Sequence, residues 1–135
     1  MKVIVDTSVW SLALRRHSGG ESAEARVLRG LVVDRKVQML GPIRQEILSG
    51  VRSATHFRAL RDRLASFPDL PLTTEDYVKA AEFFNACRSK GIQGSNTDFL
   101  LCSVSSRTEM PIFTTDKDFS VYAAHLPIRL YSKAD

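Results

Sequence analysis

The chain has 135 residues, a formal net charge of +4 and a pI near 9.3, with 44% hydrophobic and 25% charged residues. That is enough for one hydrophobic core and too little for two full-sized ones, so a single domain over 1–135 is expected. The composition excludes a disordered, collagen-like or disulfide-dense chain.

No apolar run approaches the roughly 18 residues of a membrane span, and Val3-Ile4-Val5 is too short for the apolar part of a signal peptide. Cys87 and Cys102 each lie in an apolar stretch without metal-binding spacing and read as free thiols of a reducing compartment. A cytoplasmic protein is expected. The basic residues cluster, at Arg15-Arg16-His17 and again at Arg52, Arg58, Arg61 and Arg63. Such clusters favour a polyanionic partner, nucleic acid first, although no run of base-stacking aromatics accompanies them.

In chain order, Lys2 to Val5 reads as a buried strand ending at Asp6. A helix is expected over Thr7 to Leu14, a turn at Ser18-Gly19-Gly20, and a helix over Glu21 to Val33 with Ala25, Leu28 and Val32 inward. Val37 to Leu40 is a second strand. Gly41-Pro42 breaks it, and Pro42 opens a helix carrying Ile43, Glu46 and Ile47, which Gly50 closes. Thr55 to Phe67 has helical spacing of Phe57, Leu60, Leu64 and Phe67, with arginines opposite. Pro68 to Pro71 is a linker. Thr73 and Asp76 form a capping box for a long helix with Tyr77, Ala80, Ala81, Phe84 and Cys87 inward. Gly91 to Gly94 is a loop, and Ser95 opens a helix through Phe99, Leu101, Cys102 and Val104. Pro111 to Thr114 is a strand, Asp118 starts a short helical turn, and Ile128-Arg129-Leu130 is a last strand.

Strands alternating with helices imply an α/β domain with a mostly parallel sheet flanked by helices on both faces. Sites in such sheets form beyond the carboxyl ends of the strands. Asp6 and Asp116 both follow strands and are expected at one edge. Taken singly, each acid has an ordinary use: Asp6 as a helix cap, Glu46 as an exposed helical residue, Asp98 as the acid of a Ser95 capping box, Asp116 and Asp118 in a turn.

Their order is more informative. Val3-Ile4-Val5-Asp6-Thr7-Ser8-Val9-Trp10, Pro42-Ile43-Arg44-Gln45-Glu46-Ile47-Leu48-Ser49-Gly50, Asn96-Thr97-Asp98-Phe99-Leu100-Leu101-Cys102 and Ile112-Phe113-Thr114-Thr115-Asp116-Lys117-Asp118-Phe119 follow one another along the chain. In this the sequence resembles PIN-domain ribonucleases of the VapC toxin type, over essentially its whole length. The segment from Arg52 to Thr74 carries no family motif.

The resemblance implies a three-layer α/β/α PIN-like domain and a metal-dependent endoribonuclease, the toxin of a type II toxin–antitoxin module. Its acids are carried by Asp6, Glu46, Asp98 and Asp116, with Thr114 as the hydroxyl residue and Asp118 as a secondary acid. The cofactor it implies is Mg²⁺ or Mn²⁺. The partners it implies are RNA, a small VapB-type antitoxin and a second copy in a homodimer, and no membrane partner is expected.

The chemistry is coherent. Phosphodiester hydrolysis gathers negative charge that bare carboxylates repel and a divalent ion attracts. In this reading Asp6 and Asp98 are the principal ligands, and Asp116 binds directly or through water. Glu46 completes the metal set by holding metal-bound water and helps orient or deprotonate the nucleophile, and Thr114 bonds an acid or a phosphate oxygen. Crowded carboxylates are expected to raise at least one acid's pKa. Arg15, Arg16, Lys90 and Lys117 are candidates for RNA phosphates, and Trp10, Leu12 and Leu14 for an antitoxin groove. The alternative is a non-catalytic PIN-like module that binds nucleic acid or protein. An aspartate-nucleophile phosphatase is disfavoured because Ser8 stands where a second aspartate is needed. His17, His56 and His125 lie in no triad context, and there is no glycine-rich phosphate loop.

Overall fold

The computed structural model describes residues 1–15 and 19–132. The elements are β1 (Val3–Val5), α1 (Thr7–Leu14), α2 (Ala23–Val33), β2 (Val37–Gln38), α3 (Gly41–Leu48), α4 (Ala54–Leu64), α5 (Thr74–Arg88), α6 (Asn96–Thr108), β3 (Ile112–Phe113) and α7 (Asp118–His125). The sheet is parallel, in the order β2-β1-β3. Every strand residue is buried. Unbroken burial along a strand requires cover on both faces, which the seven helices of the described residues provide. The fold is thus the expected α/β architecture.

The register sets the position of the acids. Ile4 pairs with both Gln38 and Ile112, and Val5 pairs with Phe113. Asp6 N–H continues the ladder to the Phe113 carbonyl at 2.9 Å. Asp6 and the Thr114–Asp116 segment therefore leave adjacent parallel strands at the same end. The expected last strand is reduced to one bridge, Ile112 with Leu130. Ile112 alone accepts from Tyr131 and donates to Arg129, so pairing stops after one residue. At the opposite edge Met39 bridges Asp69 in the 68–71 linker.

Two side chains tie the periphery to the core. Arg44 of α3 donates to the carbonyls of Leu64 and Phe67 and to the Asp69 carboxylate, pinning the turn after α4. Asp76, 1% exposed, receives two bonds from Arg107 of α6, at 2.6 and 2.9 Å. It also closes the capping box with Thr73. Ser103 of α6 donates to the Asp76 carbonyl at 2.7 Å.

That clamp turns α5. The buried positions are Asp76, Ala80, Phe83 and Cys87, while Tyr77 and Ala81, expected inward, are exposed. Spacing of four, three and four residues makes one face of a helix, and Arg107 draws Asp76 onto it. In α2 the inward position is likewise Leu31, and Val32 is exposed. Ser22 caps this helix, which starts at Ala23, two residues after the expected start at Glu21. Cys87 and Cys102 are buried free thiols, and burial pushes both up.

Candidate active site

Asp6 occupies the N-cap position of α1, but its side chain makes no capping bond. Asp6 is 7% exposed. Ser8 Oγ and Thr114 Oγ1 each donate to its Oδ2 at 2.8 Å. The two hydroxyls are 3.3 Å apart. Ser8 Oγ also accepts from Thr115 N–H, and Thr114 Oγ1 accepts from Asp116 N–H at 3.0 Å. Asp116 in turn accepts from Asp118 N–H at 2.9 Å. A continuous chain of hydrogen bonds thus runs from Asp6 through Thr114 to Asp116 and Asp118.

Glu46, on α3 and exposed, joins this edge through Thr7, whose Oγ1 donates to Oε1 at 2.8 Å. Thr7 follows Asp6 directly, so two acids 40 residues apart in sequence are separated by one hydroxyl contact.

Asp98 is the third residue of α6 and closes the Ser95 capping box. Its Oδ2 accepts from Ser95 N–H at 3.4 Å and from the Tyr122 phenol at 3.2 Å. Burial, first, and the Asp6 charge push its carboxyl up, against the pull of the Ser95 and Tyr122 bonds. A raised acid was expected from crowded carboxylates; desolvation leads and the Asp6 repulsion is secondary. The Tyr122 phenol is pushed up by burial and then by Asp98, so it stays protonated and donates.

The acids lie at helix starts. Asp6 stands at the N-cap position of α1 without a capping bond, Asp98 is in the first turn of α6, and Asp118 begins α7. The positive ends of these helices offset some of the like-charge repulsion.

Among the described residues, no three of the histidine, cysteine, aspartate and glutamate side chains are placed to hold one metal ion together. The donor set still suits a small hard cation. Asp6 and Asp98 engage their Oδ2 atoms in hydrogen bonds, and among the described residues nothing donates to either Oδ1. Mg²⁺ keeps several waters and takes only one or two carboxylates directly.

The candidate basic residues are less integrated. Arg15, Lys90 and Lys117 are exposed and form no ion pair among the described residues. Lys117 sits between Asp116 and Asp118 in sequence, and among the described residues no ion pair joins Arg15 or Lys90 to an acid. Arg16 lies outside the described residues. Ser8, Thr7 and Tyr122 were not singled out from sequence. Ser8 is two residues after Asp6, and that spacing was the available signal; nothing local marks Tyr122.

The sequence matches the PIN domain family over residues 3–125. The chain belongs to the PIN-domain family. PIN domains are typically nucleases. No curated protein matches the chain. Solved structures share the fold of this PIN domain. FitAcB from Neisseria gonorrhoeae superposes with a TM-score of 0.76 at 14% identity, covering 96% of both chains. VapBC2 from Rickettsia felis, bound to a DNA fragment from their promoter, gives 0.75 at 14% identity, covering 97% of this PIN domain and 98% of that chain. VapBC-5 from Mycobacterium tuberculosis, of the VapBC family of toxin–antitoxin systems, gives 0.67 at 18% identity over 96% of each.

Proposed function

We propose that this PIN domain is a metal-dependent endoribonuclease and the toxin of a toxin–antitoxin pair. The observation that carries the reading is the bonded edge itself. Asp6 is held by Ser8 and Thr114, Asp116 hangs on Thr114, Glu46 is joined through Thr7, and Asp98 senses Asp6. A purely structural use of Asp6 as a helix cap is disfavoured, since it makes no cap bond.

Asp6 and Asp98 would hold Mg²⁺ or Mn²⁺, with Asp116 beside them. A divalent ion there supplies positive charge to the phosphate oxygens and lowers the pKa of a bound water. Glu46, exposed and fixed by Thr7, takes the proton from the attacking water. Attack at phosphorus breaks one P–O ester bond, and the leaving oxygen is protonated from solvent. Thr114 and Ser8 keep the Asp6 carboxylate in one orientation throughout. Asp118 is placed one hydrogen bond from Asp116 and serves as an accessory acid. Arg15, Arg16, Lys90 and Lys117 would meet phosphates at longer range. The test is cleavage of single-stranded and structured RNA by purified protein with Mn²⁺ and with chelator. Cleavage only with metal is expected; equal cleavage with chelator, or none in either, removes the reading.

Metal should also stabilise the fold by linkage. At ten times its Kd the gain is about 1.4 kcal/mol, seen as a rise in Tm that chelator reverses. An unchanged Tm at saturating Mn²⁺ counts against the site.

The antitoxin reading has its own support. A groove of about 420 Å³ is lined by Trp10, Leu14, Leu28 and Phe67, with Glu21 and Arg29 among its charged residues. Leu12, expected there, is not in it. Trp10 is 4% exposed, and its indole N–H has no partner among the described residues. That nitrogen is sealed from solvent, so the groove offers a partner the ring of Trp10 and not its N–H. Leu14→Arg, which puts a charge on the half-buried wall of the groove, should weaken antitoxin binding about tenfold. Titration with the product of an adjacent short reading frame measures this. Tyr77 and Val78, exposed on α5, offer apolar surface for the proposed homodimer.

A further inference from the structure

We propose that Tyr122 is a positioning residue for Asp98, and that Gly94 is glycine because the Tyr122 phenol occupies the space of its side chain. The inference rests on the nuclease reading and names a residue that the family motif does not contain.

Tyr122 lies on α7, and its side chain is fully buried. Its ring is fixed between Phe99 and Phe119, at centroid distances of 5.0 and 5.2 Å. The phenol shares one proton between the Gln93 carbonyl and Asp98 Oδ2, each at 3.2 Å. Gln93 and Asp98 flank the turn that starts α6, so one hydroxyl ties both ends of this turn to α7. A Cβ on Gly94 would lie 2.3 Å from the phenol oxygen and 2.9 Å from Phe99 Cε2. Gly94 is not in the left-handed region, so space, not backbone conformation, demands glycine there.

The contacts on Asp98 are one-sided. Ser95 N–H and the phenol both donate to Oδ2, and Oδ1 receives no hydrogen bond among the described residues. Asp6 shows the same division, with Ser8 and Thr114 both on Oδ2. Each carboxylate is thereby anchored through one oxygen and leaves the other for a ligand. Tyr122 does for Asp98 what Thr114 and Ser8 do for Asp6. Groups that orient a metal-binding side chain in this way typically change affinity tenfold or more when removed.

The variant is Tyr122→Phe, which keeps the ring packing and deletes only the hydroxyl. Mn²⁺ is titrated calorimetrically into wild-type and variant protein, with Tm measured alongside. Cleavage is followed as a function of Mn²⁺ concentration. The expected result is about tenfold weaker Mn²⁺ binding. The half-saturating Mn²⁺ for cleavage should move by the same factor, and the maximal rate should return at high metal. Gly94→Ala, which drives the phenol from its place, should shift Mn²⁺ affinity in the same direction. A Y122F protein with wild-type Mn²⁺ affinity overturns the proposal, whether or not its Tm falls. If wild type itself neither binds Mn²⁺ nor cleaves RNA, the nuclease reading fails and this inference falls with it.

Discussion

Asp6→Asn and Asp98→Asn are each expected to lower metal-dependent RNA cleavage by about a hundredfold or more while leaving the protein folded. The amide keeps an oxygen that can accept from Ser8 and Thr114, or from Ser95 and Tyr122, so the local bonding survives. What is lost is the negative charge that attracts a divalent ion. For Asp98 the substitution also removes a half-buried charge that burial disfavours. Its Tm without metal should therefore be no lower than that of wild type. Glu46→Gln should slow cleavage while retaining Mn²⁺ binding, since Glu46 is assigned to the water and not to the ion. Rates with saturating Mn²⁺, paired with thermal melts, separate these outcomes. Wild-type rates in both aspartate variants would remove the assignment.

The largest effect on stability is expected at Arg107. Arg107→Gln leaves the Asp76 carboxylate buried with only its capping bonds. Loss of one partner from a buried pair costs about 3–5 kcal/mol. Arg107 is itself 42% exposed, which places the expected loss near the lower limit, about 3 kcal/mol, or roughly 10 °C in Tm for a chain of this size. The pH dependence follows from the same contact. Burial alone would push the Asp76 carboxyl up, but Arg107 and the Thr73 bonds together hold it below its ordinary value of 3.8. A carboxylate with a depressed folded pKa contributes stability that is present above the unfolded value and lost as pH falls through the folded one. The difference between wild type and R107Q should thus be greatest near neutrality and shrink below about pH 4. Denaturant unfolding at pH 7 and pH 3 measures both. A gap of the same size at the two pH values would contradict the role given to the pair.

Asp76 and Asp98 show how far the sequence reaches. Both are the third residue of a helix opened by Thr73 or Ser95, and both close a capping box. Locally they are the same motif. One is buried against Arg107, 31 residues away, and joins two helices. The other meets Tyr122, 24 residues away, and senses Asp6. Only contacts distant in sequence separate the structural acid from the site acid, and a local pattern does not encode them. The strand-end positions of Asp6 and Asp116 were legible because parallel pairing forces them to one end of the sheet.

Thr7, Ser8 and Tyr122 were not legible for the complementary reason. A hydroxyl on a helix is unremarkable until its partner is known, and those of Thr7 and Ser8 lie 39 and 106 residues away, at Glu46 and Thr114. Of the expected inward face of α5, Ala80 and Cys87 are buried and Phe84 is half-buried, and only Tyr77 and Ala81 are exposed. Apolar periodicity places Tyr77 and Ala81 inside, whereas the ion pair to Arg107 holds Asp76 in and Phe83 shares its face.

In the proposed site, carboxylates from separate segments serve one divalent ion. Paramagnetic broadening of backbone amide signals by substoichiometric Mn²⁺, in isotopically labelled protein, tests it most directly. The amides of Asp6, Glu46, Asp98 and Asp116 should broaden together, with a single midpoint and ahead of exposed acids elsewhere such as Glu24 and Glu82. Broadening that begins at those remote acids, or that reaches the four positions at different Mn²⁺ concentrations, would contradict it.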